Sequence, residues 1–117
     1  MPELKGRVYV RGGTLRAYFI SNPITTFAFE GHIDNSIIKE NVSTTATLQY
    51  KTEDQLEGKH KFEAVFGPKD LIVTLNDGVA FRGPIKKHPR PTPVLPGEGE
   101  WFEYHFAPNT DITVEDA

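Results

Sequence analysis

Glu30, His32 and Asp34 alternate in the run FEGHID, and Glu103 and His105 alternate in FEYHF. Alternate residues of an extended strand share a face, so each run presents carboxylate and imidazole groups together. Such pairs suit proton transfer, and more of them converging could hold a divalent metal. Glu30, His32, Glu103 and His105 are therefore the candidate catalytic residues of an enzyme that needs no cofactor, of isomerase, cyclase or hydrolase type. The competing reading is structural. Both runs lie opposite apolar residues, Phe29 and Ile33 in the first case and Phe102, Tyr104 and Phe106 in the second. On a solvent-facing side, cross-strand pairs of opposite charge are ordinary. The second reading is preferred, and it predicts no metal site.

His60 differs, because it shares parity with Phe62, Ala64 and Phe66 and so belongs to the rim of an apolar face. The rest of that face is rich in rings: Phe19, Phe27, Phe29, Tyr50, Phe81, Phe102, Tyr104 and Phe106, interleaved with Ala17, Gly31, Ala46 and Ala64. Aromatic strand residues of this kind build a core. In a barrel of about eight strands, the same residues either fill the interior or surround one small ligand. His60, Phe62, Phe81, Tyr104 and Leu95 are the candidate ligand-binding residues, for a small apolar or aromatic molecule held at one barrel end. The chain has no cysteine, which removes thiol chemistry and thiolate metal sites. It also lacks the nucleophile-elbow, phosphate-loop, dinucleotide and H-E-x-x-H patterns.

Residues 84–98 hold five of the nine prolines. Proline cannot donate to a ladder, so the chain should leave the sheet at Gly83-Pro84 and resume at Gly99. A rigid crossover to the last strand is the simplest reading of this loop, and a flap over the barrel end is the functional one. Arg90, Pro93 and Pro96 also stand at R-x-x-P-x-x-P spacing, a weak ligand motif of SH3 type.

These groups must be positioned by strands. Period-2 alternation runs through 4–10, 14–20, 24–33, 42–50, 58–66, 70–76, 78–83, 101–106 and 111–114. Gly12-Gly13 and Asn76-Asp77-Gly78 are hairpin signals. Only Asn35–Glu40 has the look of a helical turn. The expectation is a single all-β domain over 1–117, with eight to nine antiparallel strands. It should be a meander barrel in preference to a two-sheet β-sandwich.

The formal net charge of −3 and the short basic run Lys86, Lys87, His88, Arg90 argue against nucleic acid as a partner. No segment has the length or apolarity of a membrane span or signal peptide, so a cytoplasmic location is expected. The leading function is a small-ligand-binding barrel module, with no cofactor. The alternatives are the cofactor-free enzyme above and a structural or interaction subunit, in which unpaired strand edges would give a homo-dimer.

Overall fold

Alternating side chains give eight strands in the computed structural model, which describes residues 2–33, 41–67, 69–85 and 94–105. They are β1 (Glu3–Arg11), β2 (Thr14–Asn22), β3 (Thr25–Ile33), β4 (Val42–Gln49), β5 (Lys59–Phe66), β6 (Asp70–Leu75), β7 (Ala80–Pro84) and β8 (Leu95–His105). A short 3₁₀ turn, Glu53–Gln55, lies between β4 and β5. The strands close into one antiparallel barrel in the order β1-β2-β3-β8-β5-β6-β7-β4, with β4 returning to β1. Among the described residues no helix is long and apolar enough to cross a membrane.

The order is not a simple meander. β4 lies beside β1 and β8 beside β5, so the chain forms two successive four-strand Greek keys, 4-1-2-3 and 8-5-6-7. The proline-rich connection carries the chain from β7 to the seam between β3 and β5. Its middle, including Arg90 and Pro93, lies outside the described residues, as do Asp34, Asn35–Glu40, Phe106 and the expected strand at 111–114.

β8 starts earlier than the prolines suggest. It resumes at Leu95 rather than Gly99, and Pro96 lies within it. The described ladder to β3 ends at the Ile33–Gly97 pair, so Pro96 stands one residue past it. Trp101 donates its N–H toward Gly58 on the β5 side, at 2.9 Å. N–H direction alternates along a strand, so the missing N–H of Pro96 would point toward β3, where no described residue pairs with it.

Hairpin chemistry follows the glycines. Gly12 adopts φ 61° in the two-residue loop between Arg11 and Thr14. The β6–β7 loop is closed by Gly78 N–H to Leu75 C=O at 3.0 Å and Leu75 N–H to Val79 C=O at 2.8 Å, and Gly78 takes φ 94°. A Cβ at Gly78 would meet nothing within 4 Å, so the cost of substitution there is backbone strain alone. Gly78→Ala is expected to lower stability by about 1–2 kcal/mol and Gly78→Asn by less, because asparagine tolerates the left-handed region. Urea titration of the two variants checks the order.

The inner face is a continuous core. It includes Val8, Val10, Leu15, Phe19, Phe29, Leu48, Phe62, Phe66, Val73, Phe81, Leu95 and Trp101. Phe29 is its hub, with ring centroids 5.0 Å from Trp101, 5.7 Å from Phe62 and 6.1 Å from Phe81. Three inward glycines make room for these rings. A Cβ on Gly99 would stand 2.5 Å from Phe29 Cζ, one on Gly31 would stand 2.9 Å from Phe62 Cε2, and one on Gly97 would collide with the same Phe62 ring.

The glycines also explain a reversed face. Phe102 and Tyr104 were expected inside with Trp101 outside, yet Trp101 is buried while Phe102 and Tyr104 are 38% and 41% exposed. Along the buried part of β8 the inward positions are Leu95, Gly97, Gly99 and Trp101, so two of those four have no side chain to reveal the parity. Glu103 and His105 continue the same face into solvent at the barrel end.

Candidate functional site

The outer wall over β2, β3, β8 and β5 gathers the polar residues into two cross-strand rows. One row reads Thr14–His32–Glu98–Lys61, and the next reads Arg16–Glu30–Glu100–Lys59. These eight residues line an outer cleft of about 870 Å³, together with Phe102 and the backbone of Gly31 and Gly99. A second cleft of about 450 Å³ abuts it, sharing Lys61, Asn76 and Glu98 and running past Pro96 and Thr74. The two adjoin over the seam where the inward glycines let the wall sit close on the core rings.

The side chains beyond the second row are apolar. Tyr18 and Phe102 stand cross-strand on either side of Ala28. Ala28 points outward but is fully buried. Tyr9 meets Tyr18 edge-on at 6.0 Å, and the Arg7 guanidinium lies 5.8 Å over the Tyr9 ring. Burial is the main cause that pushes the Tyr18 hydroxyl above its usual pKa; Arg16 opposes it and Glu30 adds to it. The phenol therefore stays neutral through the physiological range and keeps its proton to donate.

The sequence candidates divide. Glu30 and His32 enter the cleft, as expected for an outward face. Glu103 and His105 do not join them. They lie at the other end of β8, where His105 Nε2 is 2.6 Å from Glu103 Oε2 and Nδ1 is 3.4 Å from Thr25 Oγ1. Thr25 and His32 mark the two ends of β3, about 23 Å apart at about 3.3 Å per residue. The imidazoles of His32 and His105 therefore do not converge. Among the described residues, no three histidine or acidic side chains are grouped to hold a metal ion.

Phe62, Phe81 and Leu95 are buried members of the core, so a ligand reaching them would have to displace packed rings. Tyr104 is on the outer wall, on the opposite side of the sheet from them. His60 does line the cleft. It is held in place by its Nε2, 2.8 Å from the Glu57 carbonyl oxygen, and by the Asn76 amide, 3.0 Å from Nδ1.

Arg16, Lys59, Glu98 and Glu100 were not among the sequence candidates. The signal for the two glutamates was present in the run GEGE at 97–100, where glycines alternate inward and glutamates outward. Nothing local marks Arg16 or Lys59, because only the strand order brings them beside Glu30 and Glu100. The chain matches no protein-family model, and comparison with curated proteins and with solved structures finds no match.

Proposed function

We propose that this barrel is a binding module that takes its ligand on the outer wall rather than inside, and that the ligand is a neutral polyhydroxylated chain such as an oligosaccharide. The observation that carries this reading is the composition of the cleft. A half-exposed ring, Phe102, stands beside three carboxylates, Glu30, Glu98 and Glu100, and three cations, Arg16, Lys59 and Lys61. Balanced charge supplies many hydrogen-bond donors and acceptors without a field favouring an anionic or cationic ligand. The aromatic face offers a flat apolar surface to the C–H side of a sugar ring. Two adjoining clefts suit several linked units better than one small molecule.

Calorimetric titration against a panel of neutral and acidic oligosaccharides tests the proposal. Phe102→Ala is expected to weaken binding about tenfold, which corresponds to about 1.4 kcal/mol. Its stability should change by less than about 1 kcal/mol, since the side chain is largely at the surface. A wild-type protein that binds none of the panel sinks the reading. Preference for a sulfated polyanion with steep salt dependence sinks the neutral-ligand part.

One observation favours a catalytic variant: Glu30 lies directly opposite Glu100 in the ladder. Paired carboxylates of this kind cleave glycosidic bonds when one protonates and the other attacks or activates water. New reducing ends on incubation with a bound oligosaccharide, absent with Glu30→Gln and with Glu100→Gln, would establish it. A stable complex with no cleavage leaves the binding module.

A further inference from the structure

β8 outruns its neighbour on one side. The β5 ladder begins at Lys59 opposite Glu100, and the last bond across that seam is Trp101 N–H to Gly58 C=O. Among the described residues, β8 continues to His105 paired with β3 alone. Because Trp101 directs its N–H away from β3, the alternation directs the N–H and C=O groups of Glu103 and His105 the same way. Among the described residues nothing hydrogen-bonds to them there. The chain before Gly58 turns elsewhere: Leu56 is buried in the core, and the Gln55 amide donates to the Asp77 carbonyl at 3.1 Å, toward the β6–β7 hairpin.

We infer that this edge pairs with the same edge of a second copy of the chain, antiparallel about a two-fold axis at Tyr104. That register sets Glu103 opposite His105 of the other copy, and His105 opposite its Glu103. Both residues direct their backbone groups outward, so each such pair exchanges two N–H···O=C bonds, giving four across the axis. The side chains agree with the backbone. A carboxylate faces an imidazole at both places, a hydrogen-bonded combination in either charge state of the ring, formed by exchanging the Glu103–His105 contact made within one chain. Tyr104 meets its own copy in the closer, non-hydrogen-bonded type of pair, where ring contact is favourable. Tyr104 and Ile20, 41% and 61% exposed, stand on either side of Thr26 in one outer row, which the join would continue into the second copy. An interface of this kind is self-complementary, as a two-fold dimer requires.

The arrangement has a functional consequence. Antiparallel edge pairing puts its two-fold axis perpendicular to the sheet, so the outer walls of both copies face the same side. Two clefts would then approach one ligand chain together, and linked sites gain avidity without any new contact.

Sedimentation velocity of the full chain tests the inference, which does not depend on what the cleft binds. The expected mass is twice the 13.1 kDa of one chain. Glu103→Pro removes an N–H that β3 does not use, and should give a folded monomer. If that variant fails to fold, Glu103→Lys serves instead, raising the dimer dissociation constant at least tenfold. The exchanged double variant, Glu103→His with His105→Glu, restores both pairs across the axis and should restore the dimer. A wild-type monomer overturns the inference, whatever occupies the edge in its place. So does a dimer that neither Glu103→Pro nor Glu103→Lys weakens.

Discussion

Phe29→Ala should lower the unfolding free energy by about 3–5 kcal/mol, the range for emptying a large aromatic site in a core. Phe29 is fully buried and touches Phe62, Phe81 and Trp101. Its ring also covers the bare backbone of Gly99, so no side chain of β8 can collapse into the void at that point. A domain of this size has about 5–15 kcal/mol of stability in total, and the variant would lose a large part of it. The melting temperature should fall by roughly 10–20 °C. Urea unfolding measures the loss directly, with the slope unchanged if the variant remains two-state. A loss below 1 kcal/mol would mean that the ring is not the hub of the core. Phe102→Ala is the matched control: the same substitution, on a strand that contacts β3, but on the outer wall.

That contrast shows what the sequence could and could not reveal. In β3 the alternation of Phe27, Phe29, Gly31 and Ile33 with Glu30 and His32 assigns both faces correctly, because bulky residues dominate the inner one. In β8 the buried part of the inner face is half glycine, and the rings that fill the space come from β3 and β5. Local alternation cannot report a side chain supplied by another strand, so Phe102 and Tyr104 took the place of Trp101 in the expected core. The turns were legible for the opposite reason. Gly12 and Gly78 require positive φ, a local property that the residue type announces. Barrel closure depends on β1 meeting β4 and on β8 entering between β3 and β5. These pairings join distant segments, and the alternating pattern is the same for a barrel as for a sandwich. The cleft has the same origin, since Arg16, Glu30, Lys59 and Glu100 stand in one row only through that strand order. The buried Trp101 Nε1, which has no hydrogen-bond partner among the described residues, is likewise invisible until the reversed face is known.

Gly99→Val is expected to be among the most damaging substitutions in the chain, at about 3 kcal/mol or more, the upper end for overpacking a filled core. A Cβ at Gly99 would stand 2.5 Å from Phe29 Cζ and 2.7 Å from the Glu30 carbonyl oxygen. The first contact can be relieved by the ring and the second cannot, because it belongs to the neighbouring strand. Trimming the ring therefore offers a decisive comparison. In the double variant Gly99→Val with Phe29→Leu, the loss should be smaller than the sum of the two single losses, since the new methyls occupy part of the vacated space. It should not vanish, because the backbone collision remains. Strict additivity would show that the ring and the glycine do not share that space. The milder Gly99→Ala then tests the connection to the cleft. Its methyl points into the core, away from any bound ligand, but relief of the clash must push β8 away from β3. Glu30 and Glu100 flank that seam on the outer wall, so their spacing would change with it. Ligand affinity should fall in a Gly99→Ala protein that is still folded, although the substituted atom lies on the other side of the sheet. Unchanged affinity would mean that the outer cleft does not depend on the close seating of β8 over the core rings.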